Sequence, residues 1–157
     1  MNNFDSSLQK NEANYTPLNP ITFLKKTAAT FPNKKSLIYN SKSFIWSETY
    51  NRCKQLASAL RLRGLDHGDV IGFLALNTPE LYEAHFGVPM AGMILNAMNY
   101  RLDAKTLAFI IDHSETKLLV AELLLDCLLA HQTNFKKYLS QRHQKRHTTS
   151  IPSIMVR

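Results

Sequence analysis

The residues able to do chemistry are scattered along this chain rather than gathered. His85, in Tyr-Glu-Ala-His-Phe-Gly, is of a type that titrates near neutral pH, but no nucleophile stands near it, so the expectation is a helix histidine packed beside Tyr82 and Phe86. Cys127, His131, His143 and His147 repeat the ligand rhythm of a small zinc finger, with histidine in place of the second cysteine. Between those ligands only Phe135, Tyr138 and Leu139 could form the small core such a finger needs, so the spacing reads as coincidence and no metal is expected. Gly-Leu-Asp-His-Gly-Asp-Val-Ile-Gly, from Gly64, lacks the Lys-Ser/Thr of a phosphate loop and precedes a strand, so it reads as a tight turn. Arg101 follows a strand, where a guanidinium could pair with a phosphate, stand in solvent or bridge to Asp103. No catalytic set emerges.

Those residues need elements to hold them, and the periodicity supplies an alternating series. Residues 21–31 fit a short helix, and two β-rich runs on either side of Asn40-Ser41-Lys42-Ser43 fit a hairpin. The clearest helix follows, with Ser47 as its expected N-cap and Glu48 in its first turn. Tyr50, Cys53, Leu56, Ala57 and Leu60 lie on one face, and Gly64 is its stop. Residues 70–76 are apolar on both faces, the pattern of a strand covered on two sides. Asn77 or Thr78 caps the next helix, which has Pro79 at its first position and an expected bend at Pro89. A strand at 93–99, a helix capped by Asp103 and a strand at 117–122 complete the run. Helices and strands alternating in this way specify an α/β class with a mostly parallel sheet and flanking helices.

Length, 157 residues, suits one domain, and 45% hydrophobic with 20% charged residues is ordinary globular composition. The polar first 14 residues lack the apolar core of a secretory signal and read as a flexible arm. The apolar runs near Phe86–Met98 and Leu118–Ala130 fall short of the ~20 residues of a membrane span. Cys53 and Cys127 sit in apolar helical patterns as reduced thiols, and with no signal or span the expected compartment is the cytoplasm. Net charge is +7, yet six of the nineteen Lys and Arg, and none of the twelve acids, lie in residues 131–157. The basic stretch Lys136 to His147 would hold any polyanion weakly through phosphate contacts, so no specific nucleic-acid partner is expected.

The run from Phe44 to Glu122 carries a resemblance. Its tyrosine-bearing capped helix, Leu-Ala-Ser-Ala-Leu, Gly-x-x-x-Gly-Asp, the strand ending at Asn77 before Pro79-Glu80, and Ala91-Gly92 leading to Leu95-Asn96 and Arg101-Leu102 together resemble the opening subdomain of the AMP-forming acyl-CoA synthetases. His85 to Ala104 resembles more narrowly the branch holding aryl- and fatty-carboxylate–CoA ligases. The resemblance implies an α/β, partial N-terminal subdomain of the acyl-CoA synthetase fold. It also implies the family's two-step reaction, in which ATP and a small-molecule carboxylate give an acyl-adenylate and coenzyme A then displaces AMP. By the same resemblance Arg101 stands near the coenzyme A phosphates.

That chemistry requires a Ser/Thr/Gly-rich loop ending in Pro-Lys, because charge on transferring phosphates must be met by preorganised N–H groups, a lysine and Mg²⁺. The last glycine here is Gly92, so these residues contain no such loop after the matched region, nor the family's adenine, ribose and C-terminal lysine motifs. The reading is therefore a truncated carboxylate–CoA ligase without catalytic residues of its own. The intact family uses ATP, Mg²⁺ and CoA, and this piece is expected to bind none of them alone. Residues 1–14 form the arm, 15–124 the truncated AMP-binding subdomain and 125–157 a basic, family-unrelated tail arising where a reading frame leaves the family. Two alternatives remain: a non-catalytic binding module that docks an acidic partner through the tail, and one subunit of a split ligase whose partner chain brings the missing domain.

Overall fold

The structure is a computed structural model that describes residues 18–121 and 155–156. Helix α1, Pro20–Thr30, opens with a reciprocal cap, the Asn19 side chain accepting from the Thr22 N–H at 2.9 Å while the Thr22 hydroxyl oxygen accepts from the Asn19 N–H at 3.3 Å. The hairpin follows as β1, Lys35–Tyr39, and β2, Lys42–Ile45, antiparallel, with Asn40 at φ 51° in the turn.

Helix α2, Trp46–Leu62, starts earlier than the sequence suggests. Its N-cap is Ile45, not Ser47, whose hydroxyl donates instead to the Pro32 carbonyl at 3.1 Å. Glu48 reaches back to the Ile45 N–H at 3.0 Å, so the acid in the first turn satisfies a donor that the apolar cap residue cannot. Gly64 beyond its end takes φ 72°, as expected of the stop.

The central sheet is parallel and ordered β4-β3-β5-β6, formed by β3, Val70–Leu74, β4, Ile94–Met98, β5, Leu118–Ala121, and the two-residue β6, Met155–Val156. Helix α3, Pro79–Met90, joins β3 to β4, and α4, Ala104–His113, joins β4 to β5. Pro89 lies in the last turn of α3, one residue before the helix ends. Both faces of β3 are covered, as its unbroken apolar run demands. Ile71 and Phe73 pack with Leu118 under Ala57 and Leu60 of α2 and Ala84 and Val88 of α3. Leu74, Met98 and Leu119 pack under Leu107 and Ile111 of α4 on the other face. The α2–α3 contact is close at Gly87, where a Cβ would sit 2.8 Å from Leu56 Cδ2 and 3.1 Å from the Cys53 carbonyl. Any side chain there would push the helices apart.

Candidate functional site

The carboxyl ends of the parallel strands lie along one edge of the sheet, and in open α/β folds this is the edge at which ligands gather. Behind β3 the chain turns through Thr78 into α3, whose buried face carries Pro79, Glu83 and Gly87 at intervals of four. Glu83 is 6% exposed, and a carboxylate so buried needs a partner. Arg52, from the facing side of α2, supplies it: its Nε donates to Glu83 Oε1 and its Nη2 to Oε2 at 3.0 Å. The guanidinium also lies 3.8 Å from Glu80 and 5.1 Å above the Phe44 ring, so one side chain links α2, α3 and the hairpin. Hydrogen bonding to Glu83 first, opposed by burial, holds the Arg52 pKa above its ordinary value.

Beside this pair the Cys53 thiol is fully buried and donates to the Glu83 carbonyl at 3.6 Å. Burial first and the neighbouring Glu83 charge second push its pKa up to about 12. Such a thiol is a packing group and not a nucleophile, and its free, buried state matches the reduced thiol expected from its place in an apolar helical pattern. Burial likewise raises Tyr82.

Arg101 occupies the loop after β4, on the same edge of the sheet. It is exposed, its N–H bound to Asn99 Oδ1 at 3.0 Å, its Nε donating to the Tyr100 hydroxyl at 3.2 Å and its guanidinium 5.5 Å above the Tyr100 ring. Asp103 is not its partner. That carboxylate caps α4, accepting from the Lys105 and Thr106 N–H groups at 2.9 and 3.1 Å and from the Thr106 hydroxyl at 2.6 Å. These bonds, the Thr106 hydroxyl foremost, hold it below the usual carboxylate range. The Arg101 guanidinium therefore faces solvent, supported from beneath by an aromatic ring.

His85 is exposed rather than packed between its aromatic neighbours. Its Nδ1 lies 2.8 Å from the Leu81 carbonyl, while Tyr82 and Phe86 meet edge to face without it at 5.4 Å. Cys127, His131, His143 and His147 lie outside the described residues. Among the described residues no group of three or more His, Cys, Asp or Glu could hold a metal ion, and no helix is long and apolar enough to cross a membrane. The Arg52–Glu83 pair escaped the sequence reading, although its signal was present: an acid at every-fourth spacing with Pro79 and Gly87 on an apolar helix face.

Residues 24–155 match the model of the AMP-binding enzyme family, a span that runs on into the stretch set apart above as a tail. The chain is 45% identical over 115 residues to an acetate/butyrate–CoA ligase of Arabidopsis thaliana, which covers 73% of the chain and 20% of the relative. It is 49% identical over 111 residues to a butyrate–CoA ligase of the same plant, covering 71% of the chain and 19% of the relative. Both relatives are described as peroxisomal. Among solved structures, a benzoate–CoA ligase of Burkholderia xenovorans superimposes with a TM-score of 0.72 at 22% identity, covering 90% of this chain and 26% of that one. The N-terminal subdomain of NpsA from Klebsiella oxytoca gives 0.62 at 19% identity, covering 65% and 26%. These two show the fold alone. The chain spans about a fifth of the length of the curated relatives it matches. Strand order, helix placement and a family match over most of its length agree, and the chain belongs to the AMP-binding enzyme family.

Proposed function

We propose that this chain forms the opening wall of an AMP-forming carboxylate–CoA ligase and that it performs no adenylation alone. The family reaction joins a carboxylate to the α-phosphate of ATP, expels pyrophosphate, and then lets the coenzyme A thiol displace AMP. Its phosphate-gripping loop must present backbone N–H groups to charged oxygens, and a glycine-rich loop does so best. These 157 residues hold no glycine beyond Gly92. The observation that carries the reading is the disproportion in the relatives: CoA ligases match about three quarters of this chain at 45% identity, yet the match fills only 20% of their length.

On this reading the unit supplies a rigid scaffold, braced by Arg52 and Glu83, and presents Arg101 to a coenzyme A phosphate. A guanidinium carried above a tyrosine ring and without a carboxylate partner among the described residues is suited to that task. ATP–pyrophosphate exchange tests the proposal. Purified chain with Mg²⁺, ATP and acetate, butyrate or benzoate should give no exchange above a protein-free blank. Exchange that persists through purification and depends on the acid would refute it.

A further inference from the structure

The route of the chain across the sheet says which face each connection covers. From β3 the chain moves one place to β4 through α3, and Ala84 and Val88 of α3 pack on the face that carries Ile71, Phe73 and Leu118, beside α2. From β4 it moves back past β3 to β5 through α4, and Leu107 and Ile111 of α4 pack on the opposite face, over Leu74 and Leu119. Reversing direction while changing face keeps the two crossovers of one hand, as connections between parallel strands are in about 98% of cases.

The third connection meets the same constraint. β6 pairs with β5 in parallel, Val120 with Met155 and Ala121 with Val156, so residues 122–154 must return along the sheet before Met155. The step from β5 to β6 continues in the direction from β4 to β5, and the same hand puts the connection on the face of α4. Its length is ample, since a crossover needs only about a dozen residues. Its start, Leu123 to Ala130, has one polar residue, Asp126, and needs an apolar surface to cover. Two such surfaces lie beside β5. Leu119 and Ala121 belong to the core under α4, while on the other face Val120 lines a cavity with Leu56 and Phe73. Handedness selects the first, and the family match, which runs to residue 155, includes this stretch.

We infer that residues 123–130 dock on the α4 face of the sheet, beside Leu119 and Ala121, so that residues 122–156 continue the α/β layers instead of standing apart as a tail. The inference rests on strand order and hand, not on the ligase reading.

Cross-linking tests the face. Cys53→Ala leaves Cys127 as the only native thiol. In that background Lys105→Cys places a thiol on α4, and Ala59→Cys places one on α2 at the wall of the cavity that Val120 lines. A short bis-maleimide is applied to each 157-residue chain, and the rate of intramolecular linkage to Cys127 is followed by peptide mass spectrometry. Loop length alone, measured on the same chains in urea, should favour the position 105 pair about fivefold. Under native conditions the preference should rise to at least about twentyfold, because docking holds Cys127 on one side of the sheet and away from the other. A native ratio no greater than the urea ratio overturns the inference. So does preferential linkage to position 59, the outcome for a stretch that fills the cavity on the α2 face. Should Cys53→Ala fail to fold, the same two pairs are compared with Cys53 retained, since that thiol is fully buried.

Discussion

Arg52 and Glu83, 31 positions apart in sequence, meet through two hydrogen bonds in the seam between α2 and α3. Glu83 is the buried member and Arg52, with 37% of its side chain exposed, is the one that reaches water. The asymmetry makes the arginine a plug. It neutralises a carboxylate that the helix–helix contact could not otherwise enclose, and through Phe44 and Glu80 it holds the hairpin and the start of α3 in one arrangement.

Removing the plug should cost more than the pair itself is worth. Breaking a fully buried pair from one side typically costs about 3–5 kcal/mol; with solvent reaching Arg52, Arg52→Met should destabilise by about 2–3 kcal/mol. Replacing both partners, as Arg52→Met with Glu83→Leu, should return stability to within about 1 kcal/mol of the original. Urea denaturation reads both values. A double variant as unstable as the single one would show that the pair does more than cancel its own burial.

Cys53 gives a pH signature. Its folded pKa is raised to about 12, so the stability it contributes is complete below the ordinary thiol value near 8.5 and is lost as pH climbs toward the folded value. In that window the unfolded chain has released a proton that the folded chain retains, and stability should fall by up to about 1.4 kcal/mol per pH unit. Tyr82, also raised, adds to the fall at the upper end of the range. In a Cys127→Ser background, Cys53→Ala should flatten the slope between pH 8.5 and 10. In the same background, Cys53 should resist a disulfide reagent until urea unfolds the chain. Rapid labelling of the native protein would contradict its burial.

Much of this fold was legible because α2 and α4 each bury one face in the period of a helix and β3 buries both of its faces. Val70 to Leu74 could be read as a doubly covered strand from its unbroken apolar run, and Asp103 as a cap from its place before Ala104. The start of α2 was misread because Ser47 has the right chemistry one turn of reasoning too late: the hairpin hands the chain directly to the helix, and Ile45 serves as cap with Glu48 reaching back to its N–H. β6 was missed because two residues cannot display a period, and basic charge dominates the sequence before it. The site was less legible than the fold. Glu83 could be seen on an apolar face, but its partner lies on another helix, and nothing local in sequence joins positions 31 apart. Arg101 was singled out by family resemblance, and the structure adds its tyrosine support.

Arg101 is tested only where coenzyme A can bind. In a full-length ligase carrying residues 18–121 of this chain, Arg101→Ala should raise the KM for CoA about tenfold, the loss of one charge-assisted phosphate contact, with ATP–pyrophosphate exchange unchanged. Equal loss in both half-reactions would move its role from phosphate pairing to support of the loop.

The same chimera tests the central claim. Residues 18–121 are exchanged for the matching segment of the Arabidopsis acetate/butyrate–CoA ligase, and acyl-CoA formation from butyrate is measured in the purified, cooperatively folding product. If this chain is the opening wall of such a ligase, the chimera should form butyryl-CoA with kcat within about tenfold of the parent. A chimera that folds as the parent does and makes no acyl-adenylate would contradict the account.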